Sequence, residues 1–175
     1  MHTIANLSNG GLCLSILDAL VNRPKHLDAL GCFYGRPGLG KTTAANHIVT
    51  QFRGYYVECK ELWNRKALLV AILKKMGLTQ YLNKPMYEML DAICEELACS
   101  GRPLIIDDVQ YLVNKKAIEA VRDIHDGAGR SPVLMIGEEM LPKALARWER
   151  IHSRVMKWEE AVPADLSYAR RLAEL

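Results

Sequence analysis

The sequence predicts an α/β protein, a parallel sheet covered by helices on both faces. Three observations carry this. Residues 29–34, 103–107 and 132–136 are short, continuously apolar runs bounded by Gly, Pro or acidic residues, where a sheet wetted on one side would alternate apolar with polar. Between them lie longer segments whose apolar positions recur at helical spacing. A glycine-rich turn leads from the first run directly into such a segment.

In chain order, residues 10–21 place Leu12, Ile16, Leu17 and Leu20 on one face, with Ser8 or Asn9 as N-cap and Pro24 past the end, and predict a first helix. Strand 29–34 follows. Over 41–52 the pattern Ala44, Ala45, Ile48, Val49, Phe52 is helical until Gly54 stops it, and 55–59 is a second strand. A helix over 64–76 ends at Gly77; another over about 85–98 has Pro85 in its first turn and Gly101 beyond its end. Strand 103–107, helix 114–125, strand 132–136, helix 142–152 and a short strand 155–158 continue the alternation. After Pro163 a last helix spaces Leu166, Ala169, Leu172 and Leu175 along one face.

At 175 residues, half hydrophobic and a quarter charged, the composition is that of one ordinary globular domain and excludes disordered and collagen-like classes. No apolar run reaches the roughly 18 residues that cross a bilayer, and the N-terminus lacks a basic segment followed by an apolar one, so a cytoplasmic location is expected. A net charge of +3 permits an anionic partner without demanding one. The five cysteines are scattered, with no C-x-x-C pair, and read as reduced thiols.

Gly35-Arg36-Pro37-Gly38-Leu39-Gly40-Lys41-Thr42 fits G-x-x-x-x-G-K-[ST] and sits between a predicted strand and a predicted helix, the context that motif requires. Its glycines let successive N–H groups point inward at phosphate oxygens, and the new helix presents its positive end to the same anion. Lys41 adds a mobile point charge for the outer phosphates, the Thr42 hydroxyl is a ligand for Mg²⁺, and Thr43 lies in the same first turn. Leu104-Ile105-Ile106-Asp107-Asp108 is an apolar strand ending in two acids. Asp107 suits the metal, through its water shell; on its own the acid pair also suits a solvated strand end.

These two motifs resemble those of the AAA+ ATPases. The resemblance implies a P-loop three-layer fold with strand order 5-1-4-3-2, ATP and Mg²⁺ as cofactors, a nucleotide-binding domain over 1–160, and 161–175 as the start of a truncated helical lid, with Arg170 or Arg171 standing in for its arginine. The acid after the metal-binding aspartate, usually Glu, polarises the attacking water in that family; here it is Asp108, one methylene shorter, which predicts slow hydrolysis. A polar sensor residue follows the fourth strand in the family, and Glu138 is the positional candidate. An arginine before the fifth strand reaches a neighbouring subunit's nucleotide. Arg154 is the best match and Arg150 the second; both also suit a salt-bridged helix face.

Residues 59–78, with the cadence R-x-x-L-L-x-x-I-L-x-x-x-G from Arg65, resemble the transposition ATPases, including the phage Mu B protein and the target selectors of Tn7-like elements. What this implies is an ATP-dependent oligomer, a helical filament or ring on duplex DNA, that recruits or stimulates a transposase. Lys60, Arg65 and Lys66 are the first candidates for phosphate contacts, with Lys74, Lys75, Lys115 and Lys116 behind them; each equally suits an exposed helix face. Rival readings are a replication initiator or helicase loader, a small-molecule P-loop kinase, and a scaffold that binds ATP without hydrolysing it.

Overall fold

The computed structural model describes residues 8–163. Its elements are α1 Ser8–Asn22, β1 Leu30–Tyr34, α2 Lys41–Phe52, β2 Tyr55–Glu58, α3 Arg65–Met76, α4 Met86–Ser100, β3 Leu104–Asp107, α5 Gln110–Val113, α6 Glu119–Gly127, β4 Val133–Gly137, α7 Leu141–Leu145, α8 Glu149–His152 and β5 Val155–Glu160. A 3-10 turn, Thr79–Tyr81, links α3 to α4. The expected helix after Pro163 lies outside the described residues, as do Arg170 and Arg171. No described helix is long and apolar enough to cross a membrane.

All five strands run parallel in the order β2-β3-β4-β1-β5, the expected 5-1-4-3-2 read from the other edge. Because successive side chains leave a strand on opposite faces, each central strand feeds two cores. Leu30 and Cys32, Leu104 and Ile106, and Val133 and Met135 pack under α3, α4 and α6. Phe33, Ile105, Leu134 and Ile136 pack under α1 and α2. This two-sided burial is the reason the strands read as continuously apolar.

Two expected helices are not helical throughout. Of the segment read as 114–125, residues 114–118 form a turn with Lys116 left-handed (φ 56°), and only the part from Glu119 on is helical, as α6; the short α5 precedes the segment and was not expected. Leu112 and Val113 are buried, and so are Ala117 and Ile118. One straight helix turns its apolar stripe away too fast to bury both pairs, and the turn restores them to the core. The segment read as 142–152 breaks at Trp148 into α7 and α8, whose buried Leu145 and Ile151 both reach the core. At the sheet edge β5 extends to Glu160, beyond the expected 158, because its half-exposed residues carry no continuous apolar signal.

At the sheet's N-terminal end, His125 of α6 is fully buried. Its Nε2 accepts the Ala29 N–H at 3.0 Å, and its Nδ1 meets Asp126 Oδ1 at 2.9 Å. Burial lowers the imidazole pKa, partly opposed by Asp126. An unfolded imidazole takes up its proton near about pH 6.5, above the folded one, so stability falls as pH drops through that value. The expected decline is at most about 1.4 kcal/mol per pH unit. Denaturant midpoints measured between about pH 7 and about pH 5.5 should show it, and His125→Gln should flatten it; a decline of equal slope in the variant contradicts the assignment.

Candidate functional site

The turn predicted to hold phosphate joins β1 to α2. Gly38 and Gly40 have φ 82° and 75°, and a Cβ at either would meet nothing within 4 Å, so backbone conformation, not crowding, calls for glycine there. Gly40 precedes α2 without a side-chain cap, which leaves the first-turn N–H groups open to a ligand. The Lys41 ammonium donates to the Gly35 and Arg36 carbonyls at 2.7 and 2.8 Å. Burial lowers its pKa, while Asp107, Asp108, Glu138 and Glu139 pull the other way. Thr43 is exposed in the first turn, and on the surface Arg36 pairs with Glu139 at 3.0 Å.

Asn9, a candidate N-cap by sequence, lies inside α1 and does something else. Its Nδ2 donates to the Leu39 carbonyl of the glycine turn at 2.8 Å and to the Val162 carbonyl at 2.7 Å, and its Oδ1 accepts the Val162 N–H. The buried amide thus ties the turn to the segment leaving β5.

At the end of β3, Asp107 is 2 % exposed and fully engaged. Its Oδ2 accepts the Thr42 hydroxyl and the Tyr56 hydroxyl, both at 2.7 Å, and its Oδ1 accepts the Asp108 N–H at 2.8 Å. Asp108 is left-handed (φ 54°), which turns its side chain away from the strand. Burial raises its pKa, helped by Asp107, Glu58 and Glu138 and opposed by Gln110, whose Nε2 donates to Asp108 Oδ1 at 3.2 Å.

These groups face one cleft of about 320 Å³, lined by Pro37, Gly38, Lys41, Thr42, Asp107, Asp108, Gln110, Gly137 and Glu138. Three carboxylates and a single ammonium share it. A hydroxyl touching a buried carboxylate beside a cradle of free N–H groups is a set of hard oxygen donors that fits Mg²⁺ next to a phosphate chain. Glu138 borders the cleft where the sensor was expected.

Arg154 does not join them. It precedes β5, whose Val155 pairs with Leu30 at the start of β1, so it lies at the opposite end of the sheet from the glycine turn. Its Nε donates to Asp126 Oδ1 at 2.9 Å and its Nη1 to the Arg150 carbonyl. Burial alone would raise the Asp126 carboxyl, but the bonds from Arg154 and His125 outweigh it and hold it below the usual range. Arg154 therefore cannot serve the cleft of its own chain.

Among the basic candidates, Lys60, Arg65 and Lys66 are exposed after β2, with Lys60 3.4 Å from Glu58. Arg65 Nη2 lies 3.4 Å from the Lys116 carbonyl, which brings the separately read clusters 60–66 and 115–116 into one patch. Lys74 and Lys75 occupy the last turn of α3, about 13 Å farther along its axis.

Sequence reasoning missed Tyr56 and Gln110. The first was absorbed into an apolar strand, though its place one strand over from Asp107 signals a contact. The second lies two residues beyond the acid pair.

A family model described as AAA domain matches residues 25–145. Among solved structures, the Aeropyrum pernix ORC1 protein in complex with DNA is similar at a TM-score of 0.65 and 16% identity, over 95% of this chain and 47% of that one. Drosophila ORC bound to DNA is similar at a TM-score of 0.55 and 14% identity, over 80% of this chain and 40% of that one. The chain thus spans less than half the length of either, and at such identity the likeness shows the fold alone. No curated protein matches the sequence.

Tyr56→Phe removes one donor from a buried carboxylate. The expected loss of stability is about 1.5–3 kcal/mol, read from denaturant unfolding. A loss under about 0.5 kcal/mol would show that the hydroxyl contributes nothing to holding Asp107.

Proposed function

Because the chain belongs to the AAA domain family, matched over residues 25–145, we propose that it binds Mg²⁺-ATP in the cleft beneath the glycine turn and hydrolyses it slowly as a DNA-bound oligomer. The observation that carries this reading is the contact between the Thr42 hydroxyl and buried Asp107, at 2.7 Å, directly below the open N-terminus of α2.

In this reading the N–H groups of Gly38, Leu39, Gly40, Lys41 and Thr42 cradle the phosphates. Lys41, which now bridges the Gly35 and Arg36 carbonyls, supplies its charge to the outer ones. Thr42 and Asp107 hold Mg²⁺, which when bound offsets the triphosphate's charge and polarises its terminal group. Tyr56 and the Asp108 N–H fix the Asp107 carboxylate from the sides that Thr42 leaves free. Asp108 orients a water and accepts its proton, with the shorter reach that slows turnover. Arg154 serves a neighbouring subunit's nucleotide, since its own lies at the far end of the sheet; activity then needs an oligomer.

The DNA reading is supported by the patch Lys60, Arg65, Lys66, Lys115 and Lys116, and by the two structures similar in fold, both bound to DNA. Phosphate contacts from lysines position a protein on a duplex without reading bases. Of the finer readings, a replication-initiator or helicase-loader type of ATPase has the support of the two similar structures. A transposition ATPase, with a transposase as partner, is the second reading, supported by the α3 cadence from Arg65 to Gly77.

The test is assembly on duplex DNA with a non-hydrolysable ATP analogue, followed by sedimentation and imaging. The protein should assemble with the analogue and not with ADP, and its affinity should fall steeply with salt. In Lys66→Ala the salt slope should shrink by about 1. An unchanged slope removes the patch, and assembly indifferent to nucleotide removes the ATP switch. Stimulation of hydrolysis by a helicase supports the initiator reading, stimulation by a transposase the second, and stimulation by a small acceptor without DNA a kinase.

A further inference from the structure

The end of β4 is where a polar side chain that monitors the terminal phosphate was expected, and the chain places Gly137 there. Glu138, next along, carries the same charge sign as a phosphate. Into the space that glycine leaves comes Gln110 from α5. A Cβ on Gly137 would lie 2.8 Å from Leu141 Cδ2 and 2.9 Å from Gln110 Oε1, so a side chain at 137 would crowd both. Gln110 Nε2 donates to Asp108 Oδ1 at 3.2 Å, while Oε1 is buried with no hydrogen-bond partner. Exchanging the two amide atoms would set an acceptor oxygen against the carboxylate, so the orientation follows from the partners. Gln110, Gly137, Asp108 and Lys41 all line the one cleft.

We propose that Gln110 is the positioning residue that reports the terminal phosphate to Asp108, taking from α5 the role left open at the end of β4. This rests on the ATP reading above. Nε2 gives one of its two N–H groups to Asp108, and Oε1 has no partner, so a single bond holds the amide where it is. A terminal phosphate in the cleft offers acceptor oxygens to Nε2, and the amide then bridges phosphate and Asp108; with a diphosphate bound, only the Asp108 half remains. The missing side chain of Gly137 leaves the amide its place at the cleft.

The experiment measures dissociation constants for Mg²⁺-ADP and for a Mg²⁺-bound non-hydrolysable ATP analogue with the full chain, together with kcat and KM for ATP. Variants are Gln110→Ala, the near-isosteric Gln110→Leu, which refills the space if the first does not fold, and Gly137→Ala. Each should keep ADP affinity within about twofold and lose about tenfold in preference for the analogue, with KM for ATP rising in step because hydrolysis is slow, and kcat falling besides. Equal weakening of both nucleotides, or an unchanged preference, overturns the assignment while leaving the ATP reading intact. Failure of the unaltered protein to bind either nucleotide overturns both.

Discussion

A buried carboxylate at the end of a central strand is tenable only if something holds its charge, and the organisation of this molecule follows from how Asp107 is held. Two hydroxyls and one backbone N–H satisfy it. Each comes from a different place: Thr42 from the helix after the glycine turn, Tyr56 from the neighbouring strand, the N–H from a residue forced left-handed. The arrangement locks β3, β2 and α2 into one register at the sheet's carboxyl end. It also leaves Asp108 and Glu138 facing the same cleft with Lys41 as the one ammonium. That surplus of negative charge is what a divalent cation would relieve, and a triphosphate in turn needs the cation to sit among carboxylates at all.

The fold was legible in the sequence because both faces of the sheet are covered. Strands such as 104–107 and 133–137 then lose their polar positions and announce themselves as short apolar blocks, and the glycine turn fixes where the first of them ends. The breaks at Lys116 and Trp148 were not legible, since apolar spacing reports which residues are buried and not whether the backbone between them is continuous. Nor was the length of β5, an edge strand with half-wet residues.

The site was legible where the chemistry is local to a motif and illegible where it is tertiary. Gly38, Lys41, Thr42 and Asp107 could be named as candidates because two short motifs pick them out by spacing, and the fold brings them to one cleft. Tyr56 and Gln110 could not, because what matters is which strand neighbours β3 and which side chain fills the void over Gly137. Asn9 makes the same point from another side: a capping residue by pattern, it spends its amide on the glycine turn and on Val162. Arg154 and the cleft stand at opposite ends of a parallel sheet, a separation that comes from the strand register and not from any local motif.

The account depends most on Asp107 and Thr42 forming a metal-dependent nucleotide site, and titration calorimetry of ATP with and without Mg²⁺ reaches that directly. Magnesium should tighten binding by about tenfold or more, and Asp107→Asn should abolish that gain while leaving the metal-free affinity no weaker. Equal affinity in magnesium and in chelator, or a full magnesium gain in the variant, would contradict it.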